Sequence, residues 1–153
     1  MTTTKNSGPP PRTLQDAELE KLLAGSVMGA LATNKRSGHP HLSTVAYQWD
    51  PAERVIRIGT TADRIKVKQL RTNPKTSLYV SSPDFLSFVV AEGEAELSDV
   101  TTVPGDAAGQ EILAMQPPMA DPAEFLEIMV AERRLVIRLH VSRLYGTALD
   151  IPG

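Results

Sequence analysis

The sequence contains no cysteine and only three histidines in 153 residues. Disulfides, thiolate metal sites and cysteine nucleophiles are therefore excluded, and a His-rich metal site is not expected. Aromatic residues make up only 5%. No sign of charge dominates: Lys plus Arg total 16, Asp plus Glu total 18, and the formal net charge is −2. That balance removes the electrostatic case for nucleic acid or for an anionic membrane surface. No uncharged run approaches the ~18 residues of a membrane helix. The first eleven residues have no apolar segment behind Lys5, so no signal peptide and a cytoplasmic setting are expected. Gly-x-Ser-x-Gly, Gly-x-Gly-x-x-Gly and Walker patterns are all missing, so a hydrolytic triad or a common nucleotide cradle has no support.

What is present is the composition of a globular domain, with 41% hydrophobic and 22% charged residues. The length fits one domain. Residues 1–12 are small, polar and proline-rich and read as a disordered tail; residues 13–153 read as a single domain. Leu14, Leu19, Leu22 and Leu23 at near-helical spacing predict a short amphipathic helix ending near Gly25. Strand patterns follow at Val27–Thr33, His41–Trp49 and Val55–Thr60, separated by short turns as in an antiparallel meander. Residues 63–73 predict a helix stopped by Pro74, with Asp63 placed as its N-cap. Further strands are predicted at 76–81, 88–97 and 135–142. Helices are predicted around 109–115 and from Pro122 to Arg133, with Pro at the start of the second. Residues 100–118 are poorly patterned: a lid over a pocket or a segment packed on the strands. Six short antiparallel strands with flanking helices predict a mainly β, α+β barrel, since closure removes exposed edges.

The stretch from Thr60 to Arg71 is the most informative chemically. Thr60 and Thr61 end a strand, and Arg64, Lys66 and Lys68 occupy the first turns of a helix. Cations there oppose the helix dipole, at roughly 0.3–1 kcal/mol each. An anion at that N-terminus reverses the sign, because free N–H groups, Thr hydroxyls and cationic heads then converge on it. A solvated basic helix face satisfies the same spacing. Ser43 and Thr44 lie among apolar strand residues, where their hydroxyls or backbone can hold a planar ligand edge or simply pack. His39 and His41 lie two apart but lack a third metal partner. Glu92 and Glu94 form a carboxylate pair but fit a solvated strand face better. Tyr47 and Trp49 share one strand face, as core or subunit-interface residues. Phe85 and Phe88 flank Leu86-Ser87 and fit a pocket mouth.

Four segments in order, Gly29-Ala-Leu-Ala-Thr33, Gly38-His-Pro-His-Leu-Ser-Thr-Val45, Asp63-Arg-Ile-Lys-Val-Lys-Gln-Leu-Arg-Thr-Asn-Pro-Lys75 and Val90-Ala-Glu-Gly-Glu-Ala95, resemble the pyridoxamine 5′-phosphate oxidase-like split barrels. The resemblance spans about Leu22 to Tyr145. It looks closest to the flavin/deazaflavin oxidoreductase group that uses coenzyme F420. It implies a six-stranded split β-barrel of the FMN-binding type and a homodimer with cofactor at the interface. It also implies a phosphate held by the strand-loop-helix from Thr60 and Thr61 to Gln69, with Arg64 and Lys66 as main contacts. Thr44, Val45 and Ala46 would run beside the ring system. Leu86 and Ser87 stand where relatives often place a Trp-Ser pair, so the aromatic is missing here. Gln69 stands where some relatives have Asn. Lys68, Arg71 and Lys75 would suit an acidic polyglutamate tail. The implied activity is hydride transfer from reduced F420 to a small unsaturated or quinone-like substrate, with no catalytic residue assigned. FMN in the same fold, and a non-catalytic cofactor carrier, are the alternatives. Pyridoxamine phosphate oxidation is not expected, because Arg143-Leu-Tyr-Gly-Thr-Ala148 replaces an Arg-Leu-x-Pro ending.

Overall fold

The computed structural model describes Gly8 and residues 10–151. Most of the expected tail lies outside that range. Arg12 is in a strand instead: β1 (Arg12–Thr13) pairs antiparallel with β9 (Thr147–Ala148), and the Arg12 guanidinium meets Glu18 and Asp150, each at 2.9 Å. The main sheet has seven strands: β2 (Met28–Asn34), β3 (Pro40–Ala46), β4 (Gln48–Asp50), β5 (Val55–Thr61), β6 (Lys75–Ser81), β7 (Phe88–Leu97) and β8 (Arg134–Tyr145). Their spatial order is β3-β2-β6-β7-β8-β5-β4, and every pair is antiparallel.

That order dictates the shape. β3 and β4 are the two edges of the sheet, yet only Tyr47 separates them in sequence. A residue advances the chain by about 3.3 Å, so the sheet must curl until its edges meet. β3 accordingly packs against β5. The result is the expected antiparallel split barrel, with seven strands rather than six. The extra strand arises inside the predicted strand at 41–49. Alternation continues through Tyr47, which stays inward, so the pattern hides the switch between edges. The predicted meander is corrected for the same reason: β2–β3 and β4–β5 are hairpins on opposite edges.

Inward positions form the core, with Leu31, Ile56, Ile58, Leu78, Val89 and Ile137 almost fully buried. Helix α1 (Asp16–Ala24) closes one end of the barrel with Leu19 and Leu23, and starts in a capping box of Gln15 and Glu18. The Tyr47 hydroxyl donates to the Leu23 carbonyl at 2.5 Å, and burial pushes the phenol up to about 12. Helix α2 (Ile65–Thr72) closes the other end with Val67 and Leu70. Helices α3 (Ala107–Ala114) and α4 (Pro122–Ala131) form a hairpin on the outer face of β8, where Ile112 and Met129 cover Val136. Residues 100–118 thus pack on the barrel through α3. A bulge interrupts the β7–β8 pairing at Glu92/Gly93. Gly93 is required there, because a Cβ would lie 1.9 Å from the His140 carbonyl oxygen. Among the described residues, no helix is long and apolar enough to cross a membrane.

Candidate functional site

The corner between β5 and α2 is built from a short, fully used loop. The Ala62 N–H donates to the Arg133 carbonyl at 2.9 Å, and the Arg64 N–H to that of Thr61 at 3.2 Å. The Thr61 hydroxyl donates to Asp63 at 2.6 Å and holds that carboxyl below its usual range. Asp63 is therefore turned back onto the loop and is not the N-cap, contrary to its sequence position. Arg64 occupies that place, with φ −68° and ψ 141°, and its side chain cannot accept a hydrogen bond. In contrast, Asp106 and Asp121 cap α3 and α4 through the Gly109 and Glu124 N–H groups. At α2 the Val67 N–H reaches the Arg64 carbonyl, whereas those of Ile65 and Lys66 meet no acceptor among the described residues. These are the donors that make a helix start an anion site.

The surrounding charge is mainly positive, with Asp63 the acidic neighbour of Arg64. Lys66 is half-buried and its Nζ donates to the Ser43 hydroxyl at 3.4 Å, tying α2 to β3. Burial, then the nearby Arg64 charge, lowers the Lys66 pKa. Among the described residues, Arg64, Lys66, Lys68, Arg71 and Lys75 have no carboxylate within 4.0 Å. Arg54, Arg57, Arg134, Arg138 and Arg143 are all paired. The Gln69 amide is engaged structurally, its oxygen accepting the Thr33 hydroxyl at 2.6 Å.

The other expected positions divide by face. Thr44 and Ala46 are exposed on the outside of the barrel, while Val45 is buried inside. Thr60 is also buried, so the hydroxyls of Thr60 and Thr61 do not converge at the helix start: one points inward and the other holds Asp63. Ser43, inward beside Lys66, is the hydroxyl the corner uses. Sequence spacing offered it together with Thr44, and only the register decides between them.

Leu86 and Ser87 lie in the β6–β7 loop, a rigid knuckle. Asp84 accepts the Ser82 hydroxyl at 2.6 Å and the Leu86 N–H at 3.0 Å, and the Ser82 N–H donates to the Ser87 carbonyl at 2.8 Å. Phe85 is held at φ 61° with its ring exposed. Phe88 instead stacks on Tyr79, with ring centroids 5.4 Å apart. Thr44, Ser87 and Phe85 line one outer cleft of about 840 Å³, together with Met28, Ala30 and Tyr79. That loop sits at the end of the barrel closed by α1. The α2 corner sits at the opposite end, where β2 finishes and β6 begins. One chain therefore does not bring Leu86 and Ser87 to Arg64 and Lys66.

Comparison with known proteins was consistent with this architecture. The sequence matches the family described as pyridoxamine 5′-phosphate oxidase over residues 15–137. The structure of an F420 reductase is similar at 25% identity and a TM-score of 0.60, covering 82% of this chain and 94% of that one. A conserved hypothetical protein of Mycobacterium tuberculosis aligns at 22% identity and a TM-score of 0.70, covering 96% and 94% of the two chains. A FAD-binding protein of Mesorhizobium loti aligns at 19% identity and 0.60, covering 90% and 96%. The last two likenesses concern the fold alone.

Proposed function

Since the match over residues 15–137 places this chain in the pyridoxamine 5′-phosphate oxidase family, we propose that it is an oxidoreductase that binds a phosphorylated flavin-type cofactor at the α2 corner. The observation that carries the reading is the start of α2, without a side-chain cap, beside a half-buried Lys66 that has no carboxylate within 4.0 Å among the described residues. A folded chain gains nothing from this arrangement alone: partial burial of the Lys66 ammonium without a counter-ion costs free energy. An incoming phosphate offsets that cost and takes up the free N–H groups. The residues present fit the group, with the Ile65 and Lys66 N–H groups, the Lys66 ammonium and the Arg64 guanidinium as donors. Thr60 and Val45 offer backbone only.

Coenzyme F420 is the proposed cofactor. It supplies a hydride donor for a small unsaturated or quinone-like substrate. The similarity to an F420 reductase supports it. So do the exposed Lys68, Arg71 and Lys75, which have no carboxylate within 4.0 Å among the described residues and suit an acidic tail, although Lys75 stands across the strands from Glu94. The protein's own part is to hold and orient; no side chain is assigned an acid or base role. FMN is the second reading, carried by the sequence's resemblance to split barrels of the FMN-binding type. We further propose a homodimer. The loop holding Leu86 and Ser87 and the α2 corner lie at opposite ends of one barrel, so a site using both needs two copies.

The test is titration of the purified protein with F420 and, separately, with FMN, followed by fluorescence. F420 is expected to bind more tightly, and turnover with a panel of enones and quinones separates an enzyme from a carrier. Lys66→Ala is expected to weaken cofactor binding by roughly 1.5–3 kcal/mol, the range for a hydrogen bond to a charged group. Unchanged affinity in that variant removes the assigned role.

A further inference from the structure

Helix α4 ends in a conformation that arginine does not favour. Glu132 is its C-cap, and the next residue, Arg133, turns left-handed with φ 53°. Glycine is the usual residue there, because a Cβ in that region is strained. The turn itself is well formed, since the Arg133 N–H reaches the Val130 carbonyl at 3.0 Å. What arginine adds over glycine is a charged side chain, and its sequence neighbour does not use that charge. Glu132 is taken by Arg134 at 3.0 Å. Arg133 is exposed and has no carboxylate within 4.0 Å among the described residues.

The same turn is fastened to the α2 corner. The Arg133 carbonyl accepts the Ala62 N–H at 2.9 Å, and Arg134 pairs with Thr61 across the strands. The residue after Ala62 is Asp63. Asp63 therefore has an arginine next to it in sequence, Arg64, and a second one, Arg133, brought to its loop by the Ala62 hydrogen bond. The carboxyl of Asp63 is held low by the Thr61 hydroxyl first, and the charges of Arg64 and Arg133 add to that.

Asp63 is the unfavourable group in a corner built for an anion. Its carboxylate repels an incoming anion and attracts the adjacent Arg64. The bond from Thr61 orients it at 2.6 Å but removes none of its charge. If Arg64 alone answered Asp63, its guanidinium would face the carboxylate instead of a ligand. A cation delivered by another element removes that conflict, and the α3–α4 hairpin delivers one as it returns to the barrel at Arg133.

We propose that Arg133 is a positioning residue of the α2 corner: its charge offsets the Asp63 carboxylate and leaves Arg64 available to an anion. This rests on the reading of that corner as a phosphate site. The test is titration with F420, with FMN and with inorganic phosphate, at low and at high salt. Arg133→Gln is expected to lower affinity for all three about two- to fivefold at low salt, the span of an exposed ion pair, and less at high salt. Arg133→Lys keeps the charge and is expected to bind as the wild type does. Rescue is the decisive readout. Asp63→Asn keeps an oxygen for the Thr61 hydroxyl and removes the charge, so in that background Arg133→Gln is expected to change affinity no further. A loss that persists undiminished there overturns the role, because Arg133 then meets the ligand itself. Wild-type affinity in Arg133→Gln alone also overturns it. Arg133→Gly is expected to melt at or above the wild-type temperature and to bind as weakly as Arg133→Gln. A lower melting temperature with full affinity overturns the role in favour of a cation serving the end of α4. If the wild type binds none of the three probes, the phosphate reading fails and this role falls with it. Lowered affinity in Lys66→Ala beside an unaffected Arg133→Gln removes Arg133 alone.

Discussion

Lys66 carries the functional reading, and its electrostatics give a signed prediction. Burial and the Arg64 charge both disfavour its ammonium form, so the free protein holds its pKa below the ordinary lysine value. A phosphate bound against it reverses the balance and raises that pKa, because an opposite charge favours the charged form. Binding is then coupled to proton uptake between the lowered pKa of the free protein and the raised pKa of the complex. Cofactor affinity is thus expected to hold below that lowered value and to fall as pH rises through the window above it. Lys66→Arg keeps its charge throughout and should flatten the profile. Titrations across that range, repeated in two buffers of different ionisation heat, measure both effects, and a flat wild-type profile without proton uptake contradicts the assigned contact. The same lysine was visible in the sequence because Arg64 and Lys66 sit where the helix dipole disfavours them. What the sequence concealed was the counterpart. Asp63 has the composition and position of a cap, but Thr61 captures its carboxylate, and a local hydrogen bond two residues away leaves no periodic trace.

At the scale of elements, legibility followed how local the determinants are. The strand at 88–97 and the helix beginning at Pro122 were readable because alternation and N-terminal proline act within the element itself. The switch of edge at Tyr47 was not, since it is defined by partners far along the chain. Within residues 100–118 the helix expected around 109–115 is α3, but what holds it was not readable, for a related reason. Helix α3 is held by Glu111 against Arg57 and Arg138, fifty-four and twenty-seven residues away, and by a cap whose Asp106 also gathers the Thr101 hydroxyl and the Thr102 and Val103 N–H groups. Those bonds hold the Asp106 carboxyl far below its usual range, with the Thr102 N–H the largest cause. Asp106→Ala is expected to cost about 0.5–2 kcal/mol in a denaturant melt, the range for loss of an N-cap. The sign with pH follows. A depressed carboxylate stabilises above its unfolded pKa and loses that contribution as pH falls toward its folded value. The gap between wild type and Asp106→Ala should therefore be full near neutrality and narrow on acidification below the ordinary carboxylate range. A gap independent of pH would show that the helix start does not depend on the charge.

At the scale of the whole molecule, one face of the barrel is left uncovered among the described residues, and its composition predicts what covers it. On the outside of β3, β2 and β6 the register sets Leu42 beside Ala32, Thr44 beside Ala30, Ala46 beside Met28, and Tyr79 beside Ala30. No charged side chain interrupts these positions. Val27 is 69% exposed, Leu42 66% and Phe85 74%. β3 is moreover an edge of the sheet, and its described residues carry no lysine to guard it. Contiguous apolar surface next to a strand edge is uncommon on a monomer and is a usual mark of association. The cleft holding Thr44, Ser87 and Phe85 opens on this same face. Docking a second barrel here would cover the apolar strip and bring the partner's surface to that cleft, which one chain cannot connect to its own α2 corner. Leu42→Glu tests the arrangement with little risk to the fold, because a substitution at so exposed a site usually changes stability by no more than about 0.5 kcal/mol. The wild type is expected to sediment as a dimer and Leu42→Glu as a monomer with an unchanged melting temperature. The monomeric variant should still respond to Lys66→Ala, since the phosphate corner is internal to one chain, but should bind the intact cofactor more weakly than the wild type. A wild-type monomer with full cofactor affinity would place the entire site within a single barrel and remove the need for the partner.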